Sequence, residues 1–152
     1  MFSAFIEGAE IKELMTKLLT GDEFDFYEMR SAEITTCMAY SLDGRLNKEW
    51  FDEQRSEEWI KWEEAKPSVK NIIKGKRKPQ KMKIVLSVPE DIAVKVHPNA
   101  KALFLNLSFG GDKVVVTGAS SQREFSLDKT LDEAWNLQLT KFFKKICAVN
   151  YS

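Results

Sequence analysis

The stretch ALFLNLSFGGDKVVVTG, residues 102–118, decides the fold. Leu103, Leu105, Leu107 and Phe109 alternate with Phe104, Asn106 and Ser108, the period-2 pattern of a strand with one strongly apolar face. Gly110-Gly111 supplies a turn, and Val114, Val115, Val116 and Thr117 return as a β-branched run. The pair predicts an antiparallel hairpin, with a third strand over residues 123–127. This is a fold nucleus and carries no catalytic motif.

Beyond the hairpin, Thr130 and Glu133 have the T-x-x-E spacing of a capping box, and Leu131, Ala134, Trp135, Gln138, Phe142, Ile146 and Val149 share one helical stripe. A C-terminal helix is therefore expected to cover the hairpin's apolar face. Before the hairpin, residues 82–88 predict a strand stopped by Pro89. A short helix with Ile92, Ala93 and Val96 inward follows, ended at His97-Pro98-Asn99. In the first third of the chain, residues 2–6 predict a strand. Residues 9–19 predict a helix from the spacing of Ile11, Leu14, Met15, Leu18 and Leu19. Residues 34–42 predict another strand, which Asp43-Gly44 turns back through Arg45 and Leu46. Residues 47–66, with Trp50, Trp59 and Trp62 among many carboxylates, read as helical. Pro67 opens a further short helix that buries Val69, Ile72 and Ile73 before Gly75.

The element order in residues 2–46 recurs in residues 82–127. The expectation is an α+β protein, its sheet mainly antiparallel with helices on one face, in which a strand-helix-strand-strand-strand unit occurs twice. A chain of 152 residues is of single-domain length, residues 1–152, and at that size buries about 68–70% of its unfolded surface.

Twenty-three basic and 23 acidic residues cancel, so attraction to nucleic acid or membrane has to come from a local patch. Cys37 and Cys147 stand far apart without zinc or redox spacing and are expected as buried thiols. The N-terminus has no cationic leader before its short apolar run, and no run is long enough to span a bilayer, so a cytoplasmic protein is expected.

Two segments stand out chemically. Residues 66–83 hold Lys66, Lys70, Lys74, Lys76, Arg77, Lys78, Lys81 and Lys83 with no acidic residue among them. Lys70, Lys74, Lys76, Arg77, Lys78, Lys81 and Lys83 are candidates for nucleic-acid contact through phosphates. The bland alternative is a solvated loop neutralised by the acidic segment before it. Trp50, Trp59 and Trp62 are candidates for contact with a protein partner, since aromatics concentrate at interface hot spots. Against this, tryptophans at helical spacing are commonly core.

No catalytic, cofactor-binding or metal site is legible. His97, the single histidine, reads as a helix-end or surface residue, and Glu33, Asp43, Asp112 and Asp128 are unpaired carboxylates near strand ends. Residues 117–121, TGASS, have the composition of an anion loop but lead into a strand instead of a helix, and read as a tight bend or bulge.

The segments KLLTGDEFDFYEMRSAEITT (17–36), LDGRLNKEWF (42–51), IIKGKRKPQKMKIVL (72–86) and TGASSQREFSLDKTLDEAW (117–135) resemble a family of uncharacterised proteins, a domain of unknown function, from Gram-positive anaerobic bacteria. The resemblance spans nearly the whole chain and implies a bacterial intracellular setting without implying an activity. In topology, MFSAFIEGAEIKELMTKLL (1–19) followed by a hairpin, and the same order after Met82, is similar to the repeated unit of DNA sliding-clamp domains. That likeness implies phosphate contact through basic helices. The chain departs from it in supplying one such domain only, in a first helix that is not strongly basic, and in the long connection over residues 47–81.

Function at this level is a ranking. A non-catalytic protein-binding or adaptor module comes first, with an unidentified protein as partner. A nucleic-acid-binding protein, clamp-like in form, comes second. An enzyme would need clustered titratable groups in a concave site, which the sequence does not display.

Overall fold

The computed structural model describes residues 1–75 and 77–151. In chain order these form β1 (Ser3–Glu7), α1 (Ala9–Leu19), β2 (Glu28–Thr35), β3 (Ala39–Asp43), a 3-10 turn (Lys48–Trp50), α2 (Trp62–Ile73), β4 (Lys81–Ser87), α3 (Glu90–Val96), β5 (Ala100–Gly110), β6 (Lys113–Gln122), α4 (Thr130–Ile146) and β7 (Asn150–Tyr151). The strands make one antiparallel sheet in the order β3-β2-β4-β5-β6-β1-β7, and the fold is α+β. The order strand-helix-strand-strand occurs twice, as β1-α1-β2-β3 and β4-α3-β5-β6. The fourth strand expected in each repeat is absent among the described residues. Arg45 makes only an isolated bridge to Trp59, and residues 123–127 lie beyond β6, which itself runs on through TGASS to Gln122.

The quoted hairpin sits at the centre. Gly110 pairs with Lys113 across Gly111-Asp112, and Gly111 has φ +60°, the left-handed value that a type II′ turn places at its first central residue. Leu103, Leu105 and Leu107 face Val114 and Val116 on the buried side, together with Ile84 and Leu86 of β4 and Ile34 of β2. Helices cover that side with Leu14 and Leu18 from α1, Trp62 and Val69 from α2, Ala93 from α3, and Leu131, Trp135, Leu139, Phe143 and Ile146 from α4. The α4 stripe thus runs through Leu139 and Phe143. Phe142 turns sideways into an aromatic cluster with Phe24, Phe26 and Tyr27.

Close approach explains the small residues of TGASS. A Cβ at Gly118 would lie 2.5 Å from Leu139 Cδ1 and 3.3 Å from Trp135 Nε1, so glycine is what lets α4 lie on β6. Trp135 Nε1 in turn donates to the Phe104 carbonyl at 3.0 Å. The α4 N-terminus does not use the expected capping box. Thr130 Oγ1 is bonded to His97 Nε2 at 2.9 Å, and Asp128 accepts from the Thr130 N–H. At the other end Lys17 Nζ donates to the Ile146 carbonyl, satisfying part of the final turn.

Three further expectations are corrected. The β2–β3 turn falls at residues 36–38, where the Thr36 N–H bonds the Met38 carbonyl, and not at Asp43-Gly44. Gly44 serves a different end: a Cβ there would lie 1.7 Å from the Met29 carbonyl oxygen. Residues 47–66 are not one helix. After the 3-10 turn, residues 58–61 wedge between the splayed ends of β2 and β3, with Ile60 N–H on the Gly44 carbonyl and Met29 N–H on the Ile60 carbonyl. Only then does α2 begin, four residues upstream of Lys66 and with Pro67 inside it. Cys37 is exposed on the β2–β3 turn and Cys147 is half-buried, so neither is a core thiol. Burial, aided by Glu10 and Glu13, pushes the Cys147 thiol up to about 11.

Trp62 is fully buried, with Nε1 donating to the Leu18 carbonyl at 2.8 Å. Trp62→Ala leaves both a cavity and an orphaned carbonyl, and is expected to cost about 3–5 kcal/mol in urea unfolding. A midpoint unchanged from wild type would disprove this packing. Beside the wedge, burial raises the Glu28 carboxyl above its ordinary value, opposed by Lys61 and Arg30. A carboxyl raised on folding holds its proton more tightly in the folded than in the unfolded chain, so stability falls as pH rises above the unfolded value of 4.5. Glu28→Gln should gain stability relative to wild type from that pH towards neutrality. Paired melts that keep a constant difference across the range would exclude it.

Candidate functional site

The chain reversal between α2 and β4 spreads the basic residues around one end of the sheet. Lys70 is exposed on α2 and Lys74 follows its last turn. Arg77 and Lys78 are exposed in the connection, and Lys81 and Lys83 project from β4 on the side away from the helices. Lys76 lies outside the described residues. None of the other six forms an ion pair among the described residues. The acidic segment is neutralised in part by cations of its own: Glu58 pairs with Arg45 and Lys48, and Arg55 with Glu57 and Glu64. A hydrogen bond from its own backbone N–H, and then Arg55, hold the Glu57 carboxyl below its ordinary value, while Glu64 and Glu57 raise the Arg55 guanidinium further. Lys66 is the exception in the basic run, reaching back to Asp25 at 2.6 Å and to the Gly21 carbonyl. The run is therefore neither a continuous stripe nor a counter-charge to the segment before it.

The three candidate tryptophans have three different environments. Trp62 belongs to the core and is withdrawn from any surface role, because its indole is enclosed and its N–H is spent on Leu18. Trp59 is half-buried on the wedge, under the guanidinium of Arg30 at 4.1 Å and that of Arg45 at 4.8 Å. Arg30 is itself stacked on Phe104 at 5.1 Å and held by its Nε–H to Ser87 Oγ, and burial pulls it below its ordinary value. Trp50, on the 3-10 turn, is 80% exposed. Of the three, it alone has its ring largely open to solvent.

A concave feature that sequence reasoning missed lies at the same end as the basic connection. Between the start of α1, the β5–β6 turn and residues 78–79 there is a groove of about 620 Å³, within the range of ligand-sized clefts. Ile11, Met15, Pro79 and Phe109 form its partly open walls above buried Met82 and Val114, while Lys12, Lys78 and Lys113 stand at its rim with Asp112. The sheet positions Phe109 as the last inward residue of β5, and α1 begins only at Ala9, so neither element fully covers the other there. No sequence pattern marks this, because the walls come from three distant segments. A second hollow of about 480 Å³ adjoins it around Tyr40, Glu33, Lys83 and Ser108.

Phe125 and Leu127 were also hidden from the sequence reading by their assignment to a strand. They lie in the β6–α4 connection at 87% and 85% exposure. Among the described residues no cluster of three His, Cys, Asp or Glu side chains could hold a metal ion, and no helix is long and apolar enough to cross a membrane.

No curated protein and no solved structure matches the chain. A family model does, over residues 17–149, from the last turns of α1 to the end of α4, and it includes the basic connection and all the tryptophans. The chain belongs to that family, DUF5721, a family of unknown function.

Proposed function

We propose that the chain is a non-catalytic protein-binding module of the bacterial cytoplasm, which takes a segment of a partner protein in the groove between α1 and the β5–β6 turn. The observation that carries this reading is the apolar wall of Ile11, Met15 and Phe109, left partly open beside three lysines that form no ion pair among the described residues. Side chains of this kind gain from being covered, and a few such residues supply most of the affinity at an interface. A groove at the end of a rigid sheet is also pre-formed, which lowers the ordering cost of binding.

A second reading has its own support. Lys74, Arg77, Lys78, Lys81 and Lys83 are exposed and form no ion pair among the described residues, so their charge is available to phosphates. Their spread over two faces of the sheet end favours wrapping or point contact over docking along one groove of a duplex. The clamp-like form of this reading is supported only by the repeated β-α-β-β order.

The first reading is tested by selecting a random peptide library on the immobilised chain, with folded Met15→Glu protein as the counter-selection. Peptides should emerge that bind wild type roughly tenfold or more tightly than the variant. Equal retention by both proteins would end it. For the second reading, binding of duplex or single-stranded nucleic acid should weaken steeply with salt, by about 0.7–0.9 in log–log slope per phosphate contact. Lys78→Glu with Lys81→Glu should flatten that slope, and no retention of either nucleic acid at low salt would remove the idea.

A further inference from the structure

The groove has a complement on the same molecule. Trp50, 80% exposed, sits on the 3-10 turn Lys48–Trp50 with Glu49, Asp52 and Glu53 around it. These three carboxylates are exposed and in no ion pair among the described residues. The turn thus offers one large aromatic anchor with three exposed carboxylates within three residues of it along the chain. The groove offers apolar walls of Ile11, Met15 and Phe109, with Lys12, Lys78 and Lys113 at the rim against a single carboxylate, Asp112. Of its rim lysines only Lys113 has a partner among the described residues, the ring of Phe5 at 4.7 Å.

Resting on the reading of the groove as a protein-binding site, we propose that its occupant is a second copy of this chain. Trp50 of one molecule seats between Ile11, Met15 and Phe109 of the next, and Glu49, Asp52 and Glu53 meet Lys12, Lys78 and Lys113.

The topology makes this contact intermolecular. The Trp50 turn follows the end of β3, where Asp43 pairs with Ser31 and the chain continues outward through Gly44 to the wedge. The groove lies at the other end of the strands, beside the start of β4 and the β5–β6 turn. A chain cannot place its own Trp50 in its own groove. The contact is heterologous, with loop on one side and groove on the other, so copies join head to tail into a closed ring or an open row. Charge separates Trp50 from Phe125 and Leu127, which are just as exposed. Phe125 and Leu127 share their connection with Arg123 and Lys129, so that loop lacks the excess negative charge which the lysine rim would select.

The test is sedimentation velocity of the full chain over a hundredfold concentration range, at low and high salt. The expected result is a mass that grows with concentration and shrinks with salt. Folded Trp50→Ala and Met15→Glu proteins should each be monomeric, with association weakened roughly tenfold or more. Mixed together, they should form a dimer and stop there, because Trp50→Ala retains the groove, Met15→Glu retains the anchor, and only one junction can form. Phe125→Ala should associate as wild type does. Wild-type protein that stays monomeric throughout overturns the proposal, as does association lost with Phe125→Ala or kept by Trp50→Ala. If the chain is monomeric while selected peptides bind in a Met15-dependent way, the occupant is a different protein and only the groove reading survives. If neither occurs, both fall.

Discussion

Helix α4 lies against β6 with no side chain between them at Gly118, and the architecture depends on that contact. Leu139 and Trp135 occupy the space a Cβ would need, and the Trp135 indole N–H reaches past β6 to the Phe104 carbonyl on β5. A single helix is thereby fastened to two central strands by packing and by a directional bond. Its aromatic flank, Phe142 and Phe143, then reaches Phe24 and Tyr27 ahead of β2 and Phe2 ahead of β1. Elements distant in the chain meet because α4 is close enough to the sheet to touch them all. The groove is a by-product of the same arrangement: α4, α3 and α2 cover the sheet from β6 to β2, and α1 leaves a gap beside its own first turns.

The elements legible in the sequence were those whose pattern is long and internally consistent. Leu103 to Phe109 alternate over a full strand, and the α4 stripe runs for more than four turns, so tertiary context had little to override. The misreadings share one cause: a residue with a strong local meaning was used for a long-range purpose. Gly44 resembled a hairpin glycine and is there to let the Met29 carbonyl approach. Thr130 resembled a helix cap and is bonded to His97 across the α3–α4 contact. Trp59 and Trp62 stand at helical spacing, yet one belongs to a β-bridge under two arginines and the other to the core. The groove was not legible at all, since Met15, Pro79 and Phe109 become neighbours only in the folded chain.

Net charge concealed a more informative distribution. The acidic residues near the wedge are partly consumed by Arg45, Lys48 and Arg55, whereas the described basic residues after α2 form no ion pair among the described residues. Charge of one sign is left at each end of the strands, which orients any approaching charged molecule more strongly than a total of zero implies.

The position of β1 carries a consequence for how the protein is made. β1 pairs with β6 from Ser3 against Thr117 to Glu7 against Lys113, so it emerges from the ribosome more than a hundred residues ahead of the strand that receives it. Throughout that interval Phe2, Ala4 and Ile6, all buried in the finished molecule, have no sheet to join. At ordinary translation speeds the wait lasts seconds. Of this sheet's strands the first to be synthesised is among the last to be installed, and a nascent chain stalled before Lys113 leaves a short apolar β-strand open to a chaperone or another chain.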